Sequence, residues 1–185
     1  MACSTGRAAA RWLAGSVALA LCAALPAVAQ LAPGAAPNIV QISPLLYTSG
    51  QPSAQALAGL GAQGFEAVVY LAPPTVDDAV KDEAFIVARQ GLVFVNVPMQ
   101  WDHPTEQDFK AFTSALSGLA NRKVLVHCQV NMRGSSMVFL HRAITQHVDP
   151  AQAYEAVAKV WSPRGTWKTY ISSMLGKNGI NFEPY

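Results

Sequence analysis

The chain has 185 residues, of which 51% are hydrophobic and only 13% are charged. Thirteen Lys and Arg residues stand against eleven Asp and Glu residues, which gives a formal net charge of +2. A charge this small excludes the strongly basic surface that nucleic acids or anionic membranes attract, so no nucleic-acid partner is expected. The length allows one domain with a substantial hydrophobic core.

The first 29 residues have the order of a secretory signal peptide. Arg7 and Arg11 precede an apolar run over residues 12–25, and the small residues Ala27-Val28-Ala29 follow. This order predicts a signal peptide over residues 1–29, cleaved after Ala29, and a periplasmic or secreted protein. A membrane anchor is the alternative, but the apolar run is shorter than the roughly 20 residues that span a bilayer. Membrane contact is therefore expected only through this segment before cleavage.

Removal of residues 1–29 changes both the charge and the cysteine count. Two of the 13 basic residues leave with the signal, so 11 remain against 11 acidic residues and the net charge falls to zero. Cys3 and Cys22 also leave, and lipidation of Cys22 is a minor alternative. Cys128 is then the one remaining cysteine. A lone thiol cannot form an internal disulfide, so the sequence leaves a buried structural cysteine or a reactive one.

The segment that follows the signal begins without a core pattern. Residues 30–37, rich in Ala, Pro and Gly, predict a flexible lead-in. Residues 38–42 and 45–48 predict two short strands that form a hairpin or a sheet edge. Ser53 is a candidate N-cap for a short helix over residues 54–60.

Strands and helices then alternate. Three apolar segments rich in β-branched residues are typical of strands covered on both faces: residues 65–71, 93–97 and 123–127. Thr75 is predicted to cap a helix over residues 76–90. Thr105 and Asp108 approximate a capping box for the next helix, whose apolar face comprises Phe109, Phe112, Leu116 and Leu119.

This alternation predicts an α/β domain with a mostly parallel central sheet of four to five strands and helices on both sides. The C-terminal part is predicted to be helical, over residues 134–147, 150–161 and 166–175. Its aromatic residues Trp161, Trp167 and Tyr170 are interpreted as packing residues, with a ligand platform as the less favoured alternative.

Cys128 stands where the last core strand ends, and ligands of parallel sheets bind beyond the carboxyl ends of the strands. The loop after it enters a helix near Gly134. Backbone N–H groups in such a loop can converge on an anion, and the helix N-terminus adds partial positive charge. Both effects stabilise a thiolate, which would make Cys128 a nucleophile. The predicted phosphate-binding residues are Gln129, Val130, Asn131, Met132, Arg133 and Gly134.

Arg133 has the side chain that this chemistry requires. Its planar guanidinium can hold two oxygens of a tetrahedral oxyanion, which lysine cannot reproduce. His127 is expected to point away from the pocket and to support the loop. Ser135 or Ser136 is expected either to donate a hydrogen bond to the sulfur or to cap the helix.

Four stretches together resemble one family: LLYTSGQPS, GFEAVVYLAPP, VNVPMQWDHPTEQDF and VLVHCQVNMRGSS. They are similar to cysteine-dependent phosphatases of the protein tyrosine and dual-specificity superfamily, and more closely to its bacterial branch, the beta-lactamase hydrolase-like phosphatase-like domains. The resemblance implies a phosphatase-like catalytic domain over residues 38–185. It also implies hydrolysis of phosphate monoesters through a phosphocysteine intermediate, with a phosphorylated protein or small molecule as the substrate.

The resemblance also implies a general acid, which is an aspartate upstream of the cysteine in these phosphatases. Asp102 has the matching position and is the predicted acid, with His103 as second choice. Only four residues separate Cys128 from Arg133, whereas five are usual, although the bacterial branch shares the shorter loop. A rhodanese-like sulfurtransferase with a cysteine persulfide and a non-catalytic anion-binding module therefore remain alternatives.

Other polar residues are assigned lesser roles. The four histidines lack the spacing of a metal motif, so no metal and no cofactor is expected. A run of acidic residues, Asp77, Asp78, Asp82 and Glu83, is interpreted as the polar first turns of a helix. The turn of residues 49–52 resembles a family motif, but a structural turn is the simpler interpretation.

Overall fold

The computed structural model describes residues 1–2 and 34–185. The predicted signal peptide, apart from its first two residues, and residues 30–33 of the predicted lead-in lie outside this range. A five-stranded sheet forms the centre of the domain, with the order β1-β2-β5-β3-β4. Only β1 is antiparallel to its neighbour. The strands are β1 Val40–Ser43, β2 Leu46–Ser49, β3 Ala67–Tyr70, β4 Val93–Asn96 and β5 Val124–His127.

The register of the central strands defines where a site can form. Ser49 of β2, His127 of β5 and Tyr70 of β3 are paired across the sheet, so these three strands end at the same level. Every residue of β3 and β5 is buried. This is what their continuous apolar runs predict, because a parallel strand covered by helices has no solvent face. Cys128 therefore leaves the sheet at the middle of its carboxyl edge.

In the part of the chain that the structure describes, six α-helices surround the sheet, and the predicted α/β class is confirmed. They are α1 Ala54–Ala58, α2 Glu83–Ala88, α3 Glu106–Ser117, α4 Met132–Leu140, α5 Pro150–Ala158 and α6 Gly165–Lys177. A 3₁₀ turn, Gly61–Gln63, follows α1, and α4 continues as a π-helical turn, His141–Thr145. Among the residues that the structure describes, no helix has the length and apolar character that crossing a membrane requires.

Two apolar clusters cover the two faces of the sheet. One contains Leu57, Leu60 and Val87 from the α1 and α2 side. The larger one contains Phe112 and Phe139 together with residues of α5 and α6. The predicted α3 face is buried, and the Thr105–Asp108 capping box is present with both reciprocal bonds. Ser53 also caps α1, since its hydroxyl accepts from the Ala56 N–H at 3.1 Å.

The predicted helix over residues 76–90 is wrong in its first half. The helix α2 begins only at Glu83, after Asp82 has adopted a left-handed conformation with φ of 59°. Residues 71–82 instead form turns and bends. Within this segment Asp78 accepts a hydrogen bond from Gln129, a long-range contact that the local pattern does not contain.

The start and end of the helix after Cys128 also differ from the prediction. The sequence predicts a helix over residues 134–147, whereas α4 begins at Met132 and ends at Leu140, followed by the π-helical turn to Thr145. Asn131 precedes α4 with φ of 71°, a left-handed conformation that asparagine adopts more readily than most residues. Met132 and Arg133 consequently belong to the first helical turn, and the loop is shorter than expected.

The described part of the predicted flexible lead-in lies against the turn after β2. The Pro37 carbonyl accepts from the Gly50 N–H at 2.7 Å, and the Ala35 carbonyl accepts from the Ser53 N–H at 3.2 Å. Residues 34–37 are therefore tied to the same turn that contacts the loop after Cys128.

Candidate active site

A small cavity opens at Cys128, at the carboxyl edge of the sheet. The cysteine is 1% exposed, and its N–H donates to the Ser49 carbonyl at 3.3 Å. The cavity has a volume of about 170 Å³. Its lining contains five residues of the predicted loop and two that lie outside it: Cys128, Gln129, Val130, Met132, Arg133, Asp78 and Trp101. The predicted nucleophile and the predicted oxyanion-binding arginine thus share one cavity.

The turn after β2 holds the outer side of the loop. The Gln51 N–H donates to the Gln129 carbonyl at 2.9 Å. A Cβ added to Gly50 would lie 2.7 Å from that same carbonyl oxygen, so only glycine allows this approach. Because the Gln129 carbonyl points toward Gln51, the Val130 N–H of the same planar peptide points the opposite way. The turn of residues 49–52 therefore holds the loop of Cys128 in place without lining the cavity itself.

Asn131 fixes the point where the loop becomes a helix. Its buried side chain donates to the Asn38 carbonyl at 2.6 Å and to the Thr48 hydroxyl at 3.0 Å. The N–H groups of Met132, Arg133 and Gly134 at the start of α4 have no acceptor in a preceding turn, whereas the Ser135 N–H donates to the Asn131 carbonyl at 2.9 Å. The first three N–H groups add the partial positive charge of a helix N-terminus next to Cys128.

Arg133 is buried with an incomplete set of hydrogen bonds. Its side chain is 5% exposed, and Nη1 donates to Gln129 Oε1 at 3.2 Å. The guanidinium carbon lies 5.4 Å from the centre of the Trp101 ring. Among the described residues, Nε has no hydrogen-bond partner and no carboxylate forms an ion pair with this arginine. Burial of a cation without a counter-charge and with an unpaired donor costs free energy. A bound oxyanion would supply both the negative charge and the hydrogen-bond acceptor.

His127, the residue before the cysteine, does not line the cavity. It is fully buried, and Nε2 lies 2.7 Å from Glu83 Oε1. The Tyr70 ring stacks on the imidazole at 4.7 Å. Burial raises the pKa of Tyr70 to about 12, with Glu83, Asp78 and Cys128 adding to the increase and Arg133 opposing it. Glu83, interpreted from sequence as a polar helix turn, is in fact buried.

The carboxylate that lines the cavity is not the predicted one. Asp102 and His103 are exposed and do not line it, although their neighbour Trp101 does. Asp78 lines the cavity, and its Oδ1 accepts from Gln129 Nε2 at 2.8 Å. Sequence reasoning missed Asp78 because the contact joins segments 51 residues apart and leaves no local signal.

The remaining predicted residues have structural contacts. The Ser135 hydroxyl donates to the Met132 carbonyl at 3.3 Å, a back-bond within α4 that is neither the predicted helix cap nor a bond to the sulfur. Trp167 is buried, and its indole N–H donates to the Trp101 carbonyl at 2.9 Å. It therefore supports the cavity wall from behind and is not a ligand platform. Within residues 1–2 and 34–185, no three His, Cys, Asp or Glu side chains cluster as metal ligands.

Comparison with known proteins gives one family. Residues 27–170 match the family described as DSP-PTPase phosphatase fused to NAD+ kinase. None of the curated proteins matches this chain in sequence.

Solved structures with the same fold are numerous. A DUF442 candidate phosphatase from Shewanella putrefaciens CN-32 is 28% identical, with a TM-score of 0.69 over 78% of this chain and 92% of its own. The PP-IP phosphatase SIW14 from S. cerevisiae, solved with citrate, is 14% identical, with a TM-score of 0.60 over 81% and 98%. A TpbA variant from P. aeruginosa, solved with phosphotyrosine, is 22% identical, with a TM-score of 0.53 over 65% and 71%.

Proposed function

Because this chain belongs to the DSP-PTPase phosphatase family that is described as fused to NAD+ kinase, we propose that it hydrolyses phosphate monoesters with Cys128 as the nucleophile. The observation that carries this proposal is the state of Arg133. It is buried beside the cysteine, it has a free Nε donor, and no described carboxylate pairs with it. A tetrahedral oxyanion above the sulfur would satisfy this donor and balance this charge.

The proposed reaction has two steps. The Cys128 thiolate attacks phosphorus, the bond from phosphorus to the ester oxygen breaks, and a carboxylic acid protonates the leaving oxygen. Water then attacks the phosphocysteine, and its proton returns to the carboxylate as phosphate and the thiolate are released. The N–H groups of the loop from Gln129 and of the α4 start, with Arg133, hold the equatorial oxygens.

The cavity favours a flat, apolar leaving group. Trp101 and the exposed side chain of Val130 form part of its wall, and about 170 Å³ holds little more than the phosphate and the first atoms beyond it. A related structure contains phosphotyrosine, which agrees with an aryl phosphate. We therefore choose an aryl phosphate as the first assay substrate, with phosphate release as the measurement.

Asp102 is the general acid in this proposal. It directly follows Trp101, which lines the cavity, so the role requires residues 100–104 to turn its carboxylate toward the cavity when substrate binds. Its exposed position here does not exclude the role, because catalytic contacts often tighten only with substrate bound. We expect Asp102→Asn to lower kcat for an ester with a poor leaving group about 10²- to 10⁴-fold, and to affect a good leaving group much less.

Asp78→Asn is the matched variant, since it makes the same change at the carboxylate that lines the cavity. Asp78 is held by Gln129, so we expect a smaller loss without dependence on the leaving group. Hydrolysis rates of phenyl and nitrophenyl phosphates, measured with both variants, decide which of the two carboxylates is the general acid. A leaving-group dependence found for Asp78→Asn and absent for Asp102→Asn would exchange the two roles.

We further propose that the protein is exported, on the basis of the charged, apolar and small-residue order of residues 1–29. Expression of the full chain in a bacterium with a C-terminal tag should give a periplasmic product. Mass spectrometry of that product should show Gln30 at its N-terminus. A product that keeps residue 1 and stays with the cytoplasmic fraction would contradict export.

A further inference from the structure

A buried carboxylate contacts the residue before the cysteine and takes no part in the reaction steps above. Glu83 is 5% exposed, and a buried charge is costly unless polar groups surround it. One of its oxygens, Oε2, accepts from Gln51 Nε2 at 2.9 Å. The other, Oε1, lies 2.7 Å from His127 Nε2. Both partners belong to segments that contact the loop of Cys128.

The contact with His127 fixes the residue before the cysteine. Tyr70 stacks nearly parallel to one face of the imidazole, with an interplanar angle of 15°. Nδ1 has no hydrogen-bond partner among the described residues. The Glu83 contact is at ion-pair distance, although the two atoms are not aligned as a hydrogen bond. The contact with Glu83 therefore orients the His127 imidazole so that Nε2 faces α2.

The contact with Gln51 reaches the residue after the cysteine. The side chain of Gln51 donates to Glu83, while its backbone N–H donates to the Gln129 carbonyl at 2.9 Å. One carboxylate is thus connected to both neighbours of the nucleophile, through an imidazole on one side and through a glutamine on the other.

We propose that Glu83 is a positioning residue for Cys128, which holds His127 and Gln51 so that the sulfur stays aligned with the oxyanion position. The activity readout of this inference rests on the proposed phosphatase function. Misplacement of a reacting atom by about 1 Å costs about 10²-fold in rate, so a residue without substrate contact can have a large effect.

The decisive variant is Glu83→Gln, which keeps the size and an acceptor for Gln51 but removes the charge that faces His127. We expect kcat to fall by about 10²-fold with little change in KM, because the oxyanion ligands themselves are unchanged. The side-chain nitrogen NMR signals of His127 should shift. Asp82→Asn is the matched control: it removes the same charge from the exposed neighbour, and both readouts should stay as in the parent protein.

A double-variant cycle separates positioning from general loss of stability. If Glu83 acts through His127, then Glu83→Gln should have little further effect in a His127→Gln background, whereas independent roles give additive losses. Additive losses, or unchanged kcat and unchanged His127 signals in Glu83→Gln, would overturn the inference. If Glu83→Gln does not fold, Gln51→Ala removes only the second contact. It should still lower kcat, and a parental value would overturn that half of the proposal.

Failure of the phosphatase proposal would look different. A parent protein that hydrolyses no phosphate ester would contradict the function but leave the positioning role open to test. The rate of Cys128 alkylation by iodoacetamide and the His127 signals do not require turnover. Both should change in Glu83→Gln and not in Asp82→Asn, and parental values of both would overturn the inference.

Discussion

Cys128→Ser will abolish hydrolysis of an aryl phosphate, with a loss in kcat of about 10⁴- to 10⁶-fold, as when the nucleophile of a covalent enzyme is removed. A hydroxyl is not ionised at neutral pH, and the loop and helix N-terminus that stabilise a thiolate have no comparable effect on it. Phosphate release by the purified variant and its parent is the measurement. Acid quenching of the parent during turnover should also trap a phosphoryl group on Cys128 by mass spectrometry.

The variant should still bind inorganic phosphate, because Arg133 and the loop N–H groups are unchanged. Phosphate binding and thermal unfolding of Cys128→Ser therefore act as controls for a correctly folded site. Retained turnover in this variant would contradict the mechanism. A parent protein that transfers sulfur from thiosulfate to cyanide, gains one sulfur atom on Cys128 and hydrolyses no ester would favour the sulfurtransferase. Phosphate binding without either activity would favour the anion-binding module.

The path of the chain into the site could be predicted from sequence because its determinants are local. Three of the four residues of β5 are apolar and β-branched or leucine, and a strand with this pattern is buried on both faces. The capping box of Thr105 and Asp108 defines the start of α3 with residues three positions apart. Such signals require no knowledge of the rest of the chain, so the order of strands and helices and the position of Cys128 follow from them.

The predicted start of α4 is too late in the sequence because a backbone conformation, and not a residue pattern, marks the true start. The residue before the helix is Asn131 in a left-handed conformation, without the side-chain cap that usually marks a helix start. Its own side chain instead bonds to Asn38 and Thr48, more than 80 residues away in sequence. A glycine at position 134 also suggested a boundary two residues too late.

The polar lining of the site could not be predicted for a related reason. Asp78 and Glu83 belong to one acidic run, and periodicity alone assigns both to a solvated helix turn. In the fold the two residues have different surroundings. Asp78 lines the cavity and accepts a hydrogen bond from Gln129, while Glu83 is buried against His127. Their roles depend on which segments meet at the carboxyl edge of the sheet, and that is a property of the topology.

Arg133→Lys should lower kcat/KM for an aryl phosphate by about 10²- to 10³-fold, the range for removal of one preorganised oxyanion donor. Lysine keeps the positive charge but not the planar fork, so bidentate contact with two equatorial oxygens is lost. It also lacks the guanidinium plane that lies over Trp101 and the Nη1 bond to Gln129. Inhibition by inorganic phosphate should weaken in parallel, because the same donors hold the product.

Arg142→Lys is the matched control for this variant. Arg142 belongs to the π-helical turn after α4, does not line the cavity of Cys128 and forms no ion pair among the described residues. The same substitution there should leave kcat/KM and phosphate inhibition at the parental values. Parental kcat/KM in Arg133→Lys would mean that charge alone suffices. The unpaired Nε donor of Arg133 would then contribute nothing to catalysis. This result would contradict the proposed role of the site in binding an oxyanion.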